Sequence, residues 1–314
     1  MSSTTEPRPR TTPPQRPGDR VFAGLSRGAA LLILATLAGV AIFLAIRGLP
    51  GITASPDEVK YGTSFLPYVG PLVFGTLWAA ALALLMATPV AIGVALFISH
   101  YAPRRLAAPI GYVIDLLAAV PSVVYGAWGM VTLAGAMQPV YAWLEEHLGF
   151  IPLFAGPASA TGRTILTAAL VLAIMVLPIM TAICREIFLQ TPRLHEEAAL
   201  ALGATRWEMT TMAVLPYARS GIVSAAMLAL GRALGETMAV AMVLSASGVV
   251  TLNLISSTNP STIAANIAHS FKEASGLTVN GLIATGLVLF VITFAVNFAA
   301  RAIVNRRKDF SGAN

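Results

Sequence analysis

Six long apolar runs decide what this chain can become: about 28–46, 71–98, 106–134, 164–184, 220–246 and 280–304. Each meets the length of roughly 18 residues or more that a bilayer-crossing helix needs. Inside hydrocarbon no water satisfies backbone N–H and C=O groups, so each run must satisfy its own as an α-helix. The second and third runs exceed one bilayer crossing and are expected to tilt, kink or protrude. The first is longer than the apolar core of a cleaved leader, about 7–15 residues, and reads as a retained anchor. Only 11% of the residues are charged, against about 25% in soluble domains. An all-α integral membrane protein with six transmembrane helices is the resulting fold class.

The basic residues give the orientation. Arg8, Arg10, Arg16, Arg20 and Arg27 precede the first run, and Arg104 and Arg105 lie between the second and third. Arg185, Arg193, Arg206 and Arg219 lie between the fourth and fifth, and Arg301, Arg306, Arg307 and Lys308 at the exit of the last. The opposite side has Arg47, Lys60, Arg163 and Lys272. Cytoplasmic loops carry the excess of Lys and Arg, which puts both termini in the cytoplasm of a multi-pass inner-membrane protein. The net charge of +6 is thus a record of topology, and no nucleic-acid partner is expected. The lone cysteine, Cys184, forms no internal disulfide and reads as a small apolar filler.

Residues 1–27 open with "MSSTTEPRPRTTPPQRPGDR", a Pro-, Thr- and Arg-rich stretch that buries nothing and is expected to be a disordered cytoplasmic tail. Residues 28–46 form an N-terminal helix ahead of the main domain. Three outer segments, about 47–70, 135–163 and 247–279, are long enough to carry structure. In the last, Ile263, Ile267 and Phe271 recur at a four-residue spacing, which predicts a short amphipathic helix. Such a helix either docks an external partner or covers the bundle. Pro89, Pro109, Pro121 and Pro178 fall inside the central runs, where each removes a backbone donor and favours a kink.

Between the fourth and fifth runs, on the inner side, stands "RLHEEAALALGATRWEMTTMAVLP", residues 193–216. Arg193, Glu196 and Glu197 make it too polar for a span, whereas Leu200, Leu202, Trp207 and Met212 give it apolar contacts. The pattern predicts a short helix, a turn at Gly203, and a second short helix that stops at Pro216. A two-helix projection of this kind fits a groove on a soluble partner; the alternative is a connection resting on the membrane surface.

The spacing Glu197-Ala198-Ala199, three residues, Gly203, eleven residues, Leu215-Pro216 resembles the EAA loop of permeases in binding-protein-dependent ABC importers. The resemblance covers roughly residues 65–305 and implies a type I importer (MetI-like) permease fold. It also implies that Glu197, Ala198, Ala199, Gly203, Leu215 and Pro216 shape a coupling element seated on a cytoplasmic ABC ATPase. Ala213 departs from the isoleucine often found there. The chain has no GxxxxGK[ST] phosphate cradle, so no cofactor is expected in it, and ATP and Mg would be bound by the partner ATPase. "GRALGETMAV" (231–240) and "PSVVYG" (121–126) narrow the resemblance to the C-type permeases of phosphate-specific (Pst) importers. That implies an ATPase dimer, a related second permease forming a heterodimer, and an extracytoplasmic phosphate-binding protein as partners within the lipid bilayer.

Arg232 and Glu236 are the charges that need a reason, because an intramembrane charge costs about 2.5–3.5 kcal/mol on insertion scales. On one continuous helix they lie a turn apart on one face. A pair at that spacing contributes only about 0.2–0.5 kcal/mol, and the order here, base before acid, is the weaker one. A polar pathway facing both explains them better than a structural tie. Arg232 offers paired donors to an oxyanion; Glu236 can accept the proton of a protonated phosphate, which sulfate lacks at neutral pH. Gly231 and Gly235 form a GxxxG that permits close helix packing, including near a partner subunit. Asp115 is a second intramembrane acid, with interfacial solvation or pairing as open alternatives to a transport role. The four histidines show no metal-ligand spacing, so no metal site is expected. Sulfate or molybdate remains an alternative cargo. A membrane-embedded enzyme lacks any recognisable catalytic motif, and a purely regulatory subunit is the third reading.

Overall fold

The computed structural model describes residues 17–308, and every regular element among them is helical. Helix α1, Pro17–Thr53, begins earlier than expected: residues 17–27, assigned to the tail, are helical, while residues 1–16 lie outside the described residues. Its surface, with Leu31, Leu32 and Leu34 exposed, suits lipid contact. Only Gly48 and Gly51 are buried, and they press against Ala284 and Gly281 of the last helix, α12 (Leu277–Lys308). The absence of Cβ atoms lets the two backbones meet.

Helix α2, Phe65–Leu96, continues into a π turn, Phe97–Tyr101. It packs along α6, Ile165–Leu189. Ala79, Ala83, Ala87, Ala91 and Ala95 recur every fourth residue on its buried face. Small side chains at that spacing bring the helix axes close, the means by which membrane helices associate when lipid offers no hydrophobic gain. Against this stripe lie Ala168, Leu172, Met175 and Val176 of α6 in one continuous core. Pro89 and Pro178 are carried inside these helices without ending them.

Two expected spans are broken. The third is not one helix over 106–134: α3, Arg104–Ala118, meets α4, Ser122–Trp128, at a 90° bend. Pro121 is the N-cap of α4; proline donates no hydrogen bond and disfavours the helical conformation of the residue before it. The chain then runs through a π turn, Gly129–Leu133, into α5, Ala134–Leu148, beyond the expected end of the span. The fifth span is not continuous over 220–246 either. A short helix pair, α7 (Arg193–Ala201) and α8 (Arg206–Met209), leads to α9, Leu215–Leu234. That helix ends at Gly235 before α10, Met238–Val243. Among the described residues five helices are long and apolar enough to cross a membrane, and the bent α3/α4–α5 pair, taken as one span, makes six.

The predicted amphipathic helix is α11, Ile263–Ser270, which buries Ile263, Ala264 and Ala265 against α2, α10 and α12. It covers the outer end of the bundle, while Phe271 stays exposed. The outer loops are knotted around Asn259, which is fully buried. Its side-chain oxygen accepts from Ile165 N at 3.1 Å, and its Nδ2 donates to Ser245 O at 3.1 Å and Ser256 O at 3.0 Å. Thr76 of α2 accepts from Ile263 N at 3.0 Å, tying α11 to the bundle.

Candidate functional site

Helix α9 has two unlike faces. Ala218, Ala225, Ala229 and Ala233 are buried. The other face presents Val223, Ser224, Met227, Leu228, Gly231 and Arg232 to a cavity of about 770 Å³ closed by Ile179 of α6 and by Asn297, Ala300 and Arg301 of α12. Because α12 returns to the cytoplasm, the cavity extends from the depth of Arg232 toward the inner end of the bundle. Among the described residues no carboxylate lies within 4.0 Å of Arg232 or Arg301. Two guanidinium groups without a counter-charge in a half-apolar cavity attract an anion, and their planar forks suit the oxygens of an oxyanion. Arg301 and Asn297 are site residues that the sequence reading missed. In the sequence Arg301 reads only as a topological charge, yet it stands four residues after Asn297, which puts the two on one face of α12.

Glu236 does not share that face. The Gly235 N–H bonds back to Gly231 O at 3.3 Å and closes α9, so Glu236 stands beyond the helix end. It is 8% exposed, and its Oε1 accepts from Ala239 N at 3.0 Å in the first turn of α10. The expected one-turn ion pair is thus replaced by a break: Arg232 enters the cavity and Glu236 caps the next helix. A carboxylate on the free N–H groups of a helix start is a favourable arrangement. Among the described residues Gly231 and Gly235 touch no other helix: a Cβ on Gly231 would meet nothing within 4 Å, and one on Gly235 only the carbonyls of Gly231 and Arg232 in its own helix.

The two segments singled out in sequence lie against each other. A Cβ on Gly126 of α4 would sit 2.7 Å from Ala239 Cα, so this glycine is what lets α4 seat on α10. Next to it, the Tyr125 hydroxyl donates to Leu117 O at 2.9 Å across the 90° bend and lies within the electrostatic reach of Arg232. Asp115 on α3 is exposed. No cluster of His, Cys, Asp or Glu with metal-binding geometry occurs among the described residues.

At the inner end, α7 and α8 form the expected two-helix projection. Gly203 turns the chain with φ +87°, a conformation that L side chains resist. Thr205 and Glu208 close a capping box on α8, and the Thr205 donors hold the Glu208 carboxyl below its usual range. Pro216 does not stop the second helix. A π turn, Thr210–Val214, carries it into α9, with Pro216 in the first turn, where a missing N–H costs least. Glu197 and Ala198 are exposed; Ala199 and Leu215 pack on a second core of Ala95, Leu96, Cys184, Phe188, Met209, Val214 and Ala218. Leu194, Leu202, Trp207 and Met212 remain exposed, an apolar surface at the cytoplasmic end. His100 Nε2 and Glu196 Oε1, 3.4 Å apart, join the end of α2 to α7.

Residues 87–309 match the family described as binding-protein-dependent transport system inner membrane component. The chain is 45% identical over 302 residues to phosphate transport system permease protein PstC 2 of Mycobacterium tuberculosis, covering 92% of this chain and 93% of that protein. It is 39% identical over 321 residues to the phosphate transport system permease protein PstC of Xylella fastidiosa, covering 98% of each. Among solved structures, a chain of a bacterial ABC transporter involved in alginate import aligns with TM-score 0.58 and 16% identity over 91% of this chain and 99% of that one. A chain of the inward-facing MetNI methionine ABC transporter aligns with TM-score 0.53 and 16% identity, over 75% and 95% respectively. The helical arrangement is therefore that of ABC importer permeases.

Proposed function

Because this chain belongs to the family of inner-membrane components of binding-protein-dependent transport systems, we propose that it conducts inorganic phosphate into the cell as one permease subunit of an ATP-driven importer. The observation that carries the reading is the 45% identity across 92% of the chain to a phosphate transport permease. An alignment of that extent includes both the 193–216 loop and Arg232. The uncompensated Arg232 and Arg301 in one cavity supply the matching chemistry.

On this reading phosphate is drawn by Arg232, hydrogen-bonded in place of its lost hydration, and released toward the cytoplasm along the face of α9. Glu236 does not line this cavity; on this reading its part is a negative charge just beyond the end of α9 that opposes trapping, since a conducting site must release what it binds. The domain spanning about 65–305 forms half of the pathway, and α1 is an added helix on its flank. The other half comes from a related second permease, whose contact with Gly231 and Gly235 would explain two glycines that no other helix among the described residues touches. Two cytoplasmic ATPases bind ATP and Mg and receive the exposed side chains of α7 and α8; an external phosphate-binding protein delivers the anion.

The test is ATP-dependent uptake by the reconstituted complex with phosphate, sulfate and molybdate compared. Phosphate uptake that needs both ATP and the binding protein is expected. Uptake of sulfate or molybdate with phosphate ignored would overturn the cargo, and leave the permease role in place.

A further inference from the structure

A second cavity, of about 340 Å³, lies against α10 and α11, and Glu236 is not among its lining residues. It is lined by Val240, Ala241 and Leu244 of α10 and its end, by Ser245 and Ser261 of the outer loops, and by Asn266 and His269 of α11, with Arg163 between. All of these elements belong to the outer end of the bundle: Arg163 just precedes α6 where that helix starts, and α11 covers the same end. No Asp or Glu lines the cavity.

Arg163 is held for a purpose that its own fold does not use. Its carbonyl accepts from Ser245 N at 3.4 Å and faces the Nδ2 of the buried Asn259 at 3.5 Å, which fixes the backbone. Its Nε is shielded from solvent and has no hydrogen-bond partner. A shielded charged donor without an acceptor is costly, and an anion in the adjoining cavity would supply one. The other polar groups fit the same guest. Asn266 Nδ2 donates to the Tyr68 hydroxyl at 2.5 Å, which leaves its carbonyl oxygen as an acceptor. Ser245, Ser261 and the exposed imidazole of His269 add hydroxyl and ring nitrogen groups.

We propose that this outer cavity is a receiving site for a tetrahedral oxyanion, with Arg163 as its principal donor, occupied before the anion passes α10 toward Arg232. The inference rests on the transport reading above and adds a second station to it. Helix α10, only 6 residues long, joins the two regions in the chain: Glu236 precedes its start, just beyond the end of α9, and Val240, Ala241 and the following Leu244 line the outer cavity. The acceptor in Asn266 suits a guest that still carries a proton, and so favours monohydrogen or dihydrogen phosphate over sulfate.

The experiment uses the assembled complex in proteoliposomes, with Ala246→Cys as reporter and Ser245→Cys as a second. The native Cys184 is fully buried and stays silent. The rate of labelling by an impermeant maleimide added outside is measured with and without millimolar phosphate. Phosphate is expected to slow labelling severalfold, Arg163→Gln to remove that protection, and Arg163→Lys to keep part of it. Arg232→Gln, which touches only the inner station, should leave it intact. Two results would overturn the proposal: no oxyanion protecting either reporter while the wild-type complex takes up phosphate, or protection undiminished by Arg163→Gln. Failure of either reporter to react from outside would also overturn it, because the cavity would then not open to that side. Protection by sulfate or molybdate, and not by phosphate, would support the site and overturn the cargo.

Discussion

At the scale of single residues, Arg232 and Glu236 have separable duties. Arg232 faces the inner cavity and holds no structural partner among the described residues. Arg232→Gln should therefore abolish uptake while the complex still assembles, as read by co-purification with the ATPase; loss of assembly would make the residue structural. Glu236 accepts from Ala239 N, and that duty needs an oxygen, not a charge. Glu236→Gln keeps the acceptor and should match the wild type in thermal stability. Glu236→Ala should lose about 1 kcal/mol, the usual worth of such a cap. If the charge also serves transport, Glu236→Gln lowers the uptake rate about tenfold, a barrier change of about 1.4 kcal/mol. Stable Gln protein with undiminished uptake would reduce Glu236 to a cap.

At the scale of elements, glycines decide which helices meet. Gly126→Val places branched carbon where Ala239 Cα already stands. Overpacking of this kind costs about 1–3 kcal/mol, so the variant should melt several degrees lower and lose uptake as α4 lifts from α10. Gly203→Ala forces φ +87° on a side chain, at about 1–2 kcal/mol. It should weaken ATPase capture without lowering the amount of permease in the membrane. The spans and the 193–216 loop were legible in sequence because burial in lipid and a spaced polar motif leave signals along the chain. The breaks were not. Gly235-Glu236-Thr237 interrupts an apolar run too briefly to lower its hydropathy, so Arg232 and Glu236 looked like one face of one helix. Pro121 was visible as a kink, but the 90° turn depends on how α3 packs on α6 and α4 on α10. The cavities were hidden for a plainer reason. Arg232 and Arg301, and likewise Arg163 and His269, line one cavity only after distant helices have folded side by side.

At the scale of the whole molecule, the apolar surface of α7 and α8 and the cavity beneath Arg232 are joined through one packed cluster. Met209 ends α8 and Val214 the π turn after it, Ala218 lies in the first turn of α9, Ala95 and Leu96 end α2, and Cys184 and Phe188 lie near the end of α6. Besides the π turn that joins α8 to α9, this cluster is a path by which a displacement of α7 and α8 reaches α9, whose other face lines the cavity. Close-packed interiors transmit such strain, and the fully buried Phe188 is the largest side chain of the group. Phe188→Ala would remove it at a cost of about 3–5 kcal/mol, enough to blur a functional effect with unfolding. Phe188→Leu keeps most of the volume and is the better probe. The reconstituted Phe188→Leu complex should hydrolyse ATP at close to the wild-type rate but import less phosphate for each ATP consumed. Uptake and hydrolysis falling in proportion would place the defect in assembly or ATPase docking, and both rates staying at the wild-type level would mean that motion reaches α9 by another route, with the His100–Glu196 contact between α2 and α7 the next to test.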